Sequence, residues 1–212
     1  MKVTSGQVMD DATRAALASG RAEPALGLFI ESLMEMRGLA VEAGEALAAA
    51  ALEAEAPAEM APDALDRVFS LIDAAPKPAR SPHYPDLIKL PRRLADAMLE
   101  AEAAHGWTTA GPGVRKLRLG VGGEARAELI RLEAGALTPW HTHKGQELTL
   151  CLLGGFSDGF ASYGPGDVSI ADPTVRHRPK ADDDGPCFVL AVTDAGLKFE
   201  GVLGAIQKLT GG

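Results

Sequence analysis

The sequence predicts an α+β chain: a small helical unit over residues 1–75, a Pro-rich arm over 76–90, and a β-sandwich or barrel over 91–212. Three observations carry this reading. Apolar residues recur at helical spacing in the first third. Four prolines (Pro76, Pro78, Pro82 and Pro85) then fall within ten residues, which excludes helix and central strand. Beyond them come short β-type runs divided by Gly, Pro and Asp, the pattern of a sandwich or barrel.

A first helix is expected over about Asp10–Ala18, ending at Gly20. The second has Leu26, Phe29, Ile30, Leu33, Met36, Ala40, Ala43 and Leu47 on one stripe, with Pro24 in its first turn. Its Ala-rich continuation, EALAAAALEAEAP, has high helix propensity and is expected to run on to the residue before Pro57. A third places Leu65, Val68, Phe69 and Ile72 on one face and ends near Ala74. The three helices own few large apolar residues, so the unit is expected to need a partner for stability. His83 lies in the arm, and His105 before Gly106 reads as the end of a helix. The strand readings are VRKLRLGV, ARAELIRLEAG, QELTLCLLGGF, DVSIADP and CFVLAVTD. Trp107 and Trp140 suit either the barrel mouth or ordinary packing.

Charge is unevenly placed. Residues 1–75 hold five basic and thirteen acidic side chains, so they sit at −8, which is the net charge of the whole chain. Direct nucleic-acid binding is disfavoured, because a phosphate backbone needs Lys and Arg. An acidic helical segment suits a partner with a basic surface. No apolar run is long enough to span a membrane, and residues 1–20 carry no signal-peptide pattern. The two cysteines, Cys151 and Cys187, fall in expected strands and read as reduced, buried thiols of a cytoplasmic protein.

The stretch PWHTHKGQELTLCLLGG carries the chemistry. His141 and His143 are two positions apart and share one strand face, and Glu147 can share it. A second strand follows the YGPGD turn and leads toward His177. Three imidazoles and a carboxylate converging inside a barrel make a metal site, and nitrogen and oxygen ligands suit Zn, Fe, Mn, Ni or Cu. Catalytic residues are not identifiable, although Lys144 or Asp172 could serve as an acid or base.

The spacing resembles the cupin family. Gly135, His141, His143, Glu147 and Gly154 match its first motif, G-x5-H-x-H-x3-E-x6-G, in full. In the second motif Gly166 and His177 are kept, while Asp172, Thr174 and Ala181 stand in for proline, glycine and asparagine. A helical N-terminal unit, a Pro-rich linker and a C-terminal cupin is the layout of the ChrR-type anti-sigma factors. ALASGRAEPALGLFIESL, GGEARAELIRLEAG, HKGQELTLCLLGGF and LAVTDAGLKFEGVLG are similar to that family. The resemblance implies a jelly-roll-like double-stranded β-helix and one divalent ion, commonly zinc, on His141, His143, Glu147 and His177. It implies a transcription regulator that binds an extracytoplasmic-function sigma factor through residues 1–75, with the cupin taking part in sensing oxidative or chemical stress.

The chain departs from that family in one respect. The family's N-terminal zinc signature, H-x3-C-x2-C, falls on Ser32, Met36 and Leu39, and no His or Cys precedes His83. The N-terminal unit therefore holds no Cys/His zinc site and packs through apolar residues. A metal-dependent cupin enzyme, a dioxygenase or isomerase, is the weaker alternative. Finally, Leu148, Leu150 and Leu152 lie on the strand face opposite Glu147, Thr149, Cys151 and Leu153. That apolar stripe must be covered; the helical unit, the arm or a second copy could do so, and a second copy or the arm is the expected cover, which favours a homodimer.

Overall fold

A computed structural model of the chain describes residues 2–3, 22–38, 61, 63–74, 90–194 and 197–199. The helix expected at Asp10–Ala18, the Ala-rich stretch and the Pro-rich arm with His83 lie outside these residues.

Among the described residues there are three helices, α1 (Pro24–Met36), α2 (Ala64–Ala74) and α3 (Arg92–Ala104). Twelve strands accompany them: β1 (Lys2–Val3), β2 (Thr108–Gly111), β3 (Val114–Leu119), β4 (Arg126–Leu132), β5 (His141–His143), β6 (Glu147–Leu153), β7 (Phe156–Ser157), β8 (Ser162–Tyr163), β9 (Val168–Ala171), β10 (Lys180–Ala181), β11 (Cys187–Thr193) and β12 (Leu197–Phe199). Seven strands form one antiparallel sheet in the order β1-β9-β6-β11-β4-β3-β2. Strands β10-β7-β8 form a second sheet, and β12-β5 a third. The five longer strand readings fall on β3, β4, β6, β9 and β11. The short strands β5, β7, β8 and β10 carry too few residues for a period of two to show.

Register sorts the large sheet into two faces. Leu150 of β6 lies opposite Leu190 of β11 and Val168 of β9, and Leu190 lies opposite Leu129 of β4, which faces Leu117 of β3. All five are fully buried. The neighbouring residues on the same strands point the other way. Thr149 pairs with Ser169 and Ala191, and Ala191 with Glu128. The first face is an apolar layer; the second lines the barrel interior.

The apolar layer is roofed, among the described residues, by α1 and α3. Ala25, Leu28, Phe29, Ile30 and Leu33 of α1 join Leu94, Met98 and Ala101 of α3 and the sheet leucines in one core. Each of those α1 residues is at most 1% exposed. The three leucines of β6 thus find cover within the chain, and Leu150 is fully buried. Polar contacts hold α1 in place at both ends. The Glu23 carboxylate accepts from the Leu26 N–H at 2.9 Å, capping the helix, and from the Ala125 N–H at 3.2 Å. Arg37 donates to the Gly166 carbonyl from Nε at 3.0 Å and from its guanidinium end at 2.7 Å. Glu31 bridges to Arg93, and Glu35 accepts from the Arg92 N–H at the start of α3.

Two element readings need correction. The second helix ends at Met36 although its apolar spacing continues. Gly38 takes a left-handed φ of 62° and its N–H closes on the Glu35 carbonyl at 3.1 Å, ending the helix as a C-terminal glycine does. The helix α3, of which only the His105 end was legible, spans thirteen residues, with Leu94, Met98 and Ala101 buried at helical spacing. His105 and Gly106 close it as expected: both N–H groups reach the Ala101 carbonyl, at 3.0 and 3.2 Å. The third helix ends at Ala74, as expected.

Candidate metal centre

Three of the four expected ligands converge. His141 and His143 stand on β5 with their side chains on one face, and His177 enters from the segment before β10. A two-way backbone bridge fixes the register: the His141 N–H donates to the His177 carbonyl at 3.2 Å, and the His177 N–H returns to His141 at 3.1 Å. All three imidazoles are buried, at 5%, 2% and 3% exposure. Motif glycines shape the approach. Gly154 ends β6 with φ 70°, and a Cβ there would lie 2.3 Å from the Pro186 carbonyl oxygen, so only glycine fits. Gly135 has φ 69° and packs against the Asp183 carboxylate.

The Nε2 atoms face one another: His143 to His177 at 2.8 Å, and His177 to His141 at 3.0 Å. His141 Nδ1 lies 2.8 Å from the Pro139 carbonyl, which can only accept. Its proton is therefore on Nδ1, and Nε2 presents a lone pair. One proton on the remaining nitrogens can serve in line only one of the two Nε2 contacts. The other close N···N contact is then left without an in-line proton, a defect that a cation at this point removes. Burial holds all three imidazoles below their ordinary pKa, His143 at about 4 and His177 at about 3, with the neighbouring histidines adding to the effect. They are neutral at pH 7, the form that binds metal. The donor set fits a divalent transition metal, and these three form a ligand cluster with all donor atoms within 4.8 Å.

Glu147 borders this cluster. Its Oε2 lies 3.8 Å from His143 Nδ1, and its Oε1 accepts from Thr149 Oγ1 at 3.1 Å. Burial pushes its carboxyl up to about 7. Other named residues sit elsewhere. Asp172 caps the turn at Thr174, accepting from its N–H and hydroxyl. Lys144 is exposed. Trp140 is 42% exposed with the Arg176 guanidinium 4.2 Å above its ring, and Trp107 packs edge-on against Phe188 in the outer core.

A cavity of about 240 Å³ opens beside the histidines. His141, His177, Glu147, Thr149 and Ser169 form its polar end; Val114, Ile130, Leu132, Phe156 and Val189 form its walls. Lys116 and Glu128, paired at 3.2 Å, also line it. Sequence reading passed over Lys116, Glu128, Ile130 and Ser169. Their signal was the alternation along β3, β4 and β9, which sets them on the face opposite the buried leucines. Cys151 and Cys187 are free thiols, both fully buried, in the apolar cluster that also contains four of the wall residues. The contact with Cys187, followed by burial, pushes the Cys151 thiol up, so it stays protonated.

No protein-family model matches the chain. The anti-sigma-E factor ChrR of Cereibacter sphaeroides is 34% identical over 201 residues, covering 92% of this chain and 92% of that protein. The crystal structure of Rhodobacter sphaeroides SigE in complex with the anti-sigma ChrR is similar at 32% identity and a TM-score of 0.56, covering 88% of this chain and 97% of that one. An RmlC-like cupin protein of Ralstonia eutropha JMP134 is 14% identical over 50% of this chain and 79% of its own, with a TM-score of 0.41. The α+β chain, with its cupin barrel and its histidine cluster, belongs to the ChrR anti-sigma factor family.

Proposed function

We propose that this chain is a ChrR-like cytoplasmic anti-sigma factor that restrains an extracytoplasmic-function sigma factor, with its cupin domain taking part in sensing oxidative or chemical stress. The observation that carries the reading is identity of 34% running along 92% of both chains, through helical part and cupin alike. A shared barrel alone would leave a cupin enzyme equally open, because a fold does not name a reaction. The acidic charge of residues 1–75 supports a partner with a basic surface.

The metal centre is the proposed sensing end. His141, His143 and His177 would hold one divalent ion, zinc by family resemblance, with Glu147 as the fourth ligand from the adjoining wall. A bound ion would offer a Lewis-acidic position in an otherwise apolar barrel. The chain's own part is to keep three imidazoles neutral by burial, to fix the His141 tautomer through Pro139, and to shield the site from water. Strand β6 joins this site to α1: Glu147 and Thr149 face the cavity, while Leu150 and Leu152 face the roof.

Co-expression with the sigma factors of the native host, followed by affinity capture and metal analysis, tests the proposal. The expected result is a stoichiometric complex with one such sigma factor and one metal ion per chain. Capture of no sigma factor by metal-loaded protein would overturn it.

A further inference from the structure

The cavity beside the histidines has a chemical grain that selects its occupant. At about 240 Å³ it exceeds the roughly 150 Å³ of an apolar cavity that accepts benzene, so one ring and a small head group fit. A sugar phosphate or nucleotide does not suit it, since its polar groups would be desolvated against Val114, Ile130, Leu132, Phe156 and Val189 without partners. A pure hydrocarbon would leave the histidine end without a polar partner. The Lys116 ammonium is already matched by the Glu128 carboxylate at 3.2 Å, so it adds no net charge to the rim. The place for a negative head is therefore the histidine end, where a divalent ion would bring two positive charges against the single negative charge of Glu147.

We infer that this cavity binds a compact apolar monocarboxylate, one ring or a short branched chain in size, with its head toward His141 and His177 and its body against Ile130, Leu132 and Val189. The site rests on the reading of the three histidines as a metal centre. It gives the cupin a small-molecule ligand, independent of which sigma factor the chain binds.

Benzoate is the probe, added to the full-length chain loaded with zinc. Calorimetry should give saturable one-to-one binding, and benzyl alcohol, with the same ring and no charge, should bind at least tenfold more weakly. In methyl NMR, benzoate should shift Ile130, Leu132 and Val189 and leave Leu148, Leu150 and Leu190 of the outer face in place. Ile130→Trp, which fills the cavity, should abolish benzoate binding and retain one zinc per chain. Should that variant fail to fold, the wild-type methyl shifts decide. Zinc at one per chain with no saturable benzoate binding, or shifts confined to the outer face, overturns the ligand site alone. Equal affinity for benzyl alcohol overturns the anionic head. A chain that takes up no zinc overturns the site together with the metal reading beneath it, while capture of a sigma factor is scored separately.

Discussion

At the residue scale, the histidines and Asp158 show how burial sets chemistry. Replacing His141 and His143 together by alanine should lower bound metal from one ion per chain to below about a tenth, measured by elemental analysis; unchanged stoichiometry would refute the ligand assignment. The pH behaviour of metal-free protein follows from the same groups. Folding depresses the histidine pKa values, to about 4 for His143 and about 3 for His177, so the folded state binds fewer protons than the unfolded one. The three histidines should therefore lower stability as pH drops from about 6.5, the unfolded value, toward those folded values, partly offset by Glu147, whose carboxyl, raised to about 7, takes up its proton first in the folded state. Urea titrations at pH 7 and pH 5 should show it, and His143→Gln with His177→Gln should flatten the difference. Asp158 works lower on the scale. Burial would raise its carboxyl, but the N–H groups of Ala161 and Phe160, each at 2.9 Å, and the Tyr163 hydroxyl at 2.8 Å outweigh that and hold it below the usual range. Its contribution is present at neutral pH and is lost as pH falls below about 4. Asp158→Asn should cost about 1–3 kcal/mol at pH 7 and remove the part of the acid limb that lies below pH 4; a wild-type profile there would show that the carboxylate does not titrate as described.

At the element scale, what was legible in the sequence followed the strength of local pattern. The long strands β4, β6, β9 and β11 set apolar residues at every second position, because one face packs under helices; the other face lines a cavity and is partly apolar itself, so β11 is buried almost throughout. The H-x-H pair, Glu147 and the framing glycines were readable because strand period and positive φ constrain residue type. Three things were hidden. Gly38 stops α1 while the apolar stripe runs on, so spacing alone overran the helix. Leu94, Met98 and Ala101 form a stripe too thin to stand out beside four prolines and a run of strands. Above all, spacing shows that α1 is amphipathic and says nothing of which surface its apolar stripe meets. That surface is the cupin sheet. Phe29→Ala should therefore destabilise the barrel as a whole, by about 3–5 kcal/mol for a large core side chain, with one cooperative transition followed by tryptophan fluorescence and circular dichroism. A small, separate loss of helix that leaves the barrel midpoint in place would contradict the shared core. By the same reasoning, residues 1–75 expressed alone lack the surface that buries Leu28, Phe29, Ile30 and Leu33, and they should show little stable helix, with or without chelator.

At the scale of the whole molecule, the roof decides what the chain does with its apolar sheet. What favours a homodimer from the sequence is that Leu148, Leu150 and Leu152 need cover. In the folded chain α1 and α3 supply it, with Glu23 and Arg37 pinning the two ends of α1 to Ala125 and Gly166. The stripe thus gives no reason for a second copy while α1 is docked, and a strong one when it is gone. A chain truncated to residues 90–212 keeps α3 and the barrel and loses α1, uncovering part of the layer around Leu150, Val168 and Leu190. Soluble monomers do not tolerate such a face, so this fragment should self-associate, and its sedimentation should rise steeply with concentration. Adding back a peptide of residues 22–38 should reverse the association, because it carries both the apolar stripe and the two polar anchors. Leu150→Glu in the full chain makes the complementary test. The side chain is fully buried under α1, so a charge there has no partner, and the expected outcome is loss of folding stability by several kcal/mol rather than conversion of a dimer to a monomer. A stable Leu150→Glu chain that merely sediments more slowly would place the cover in a second copy after all.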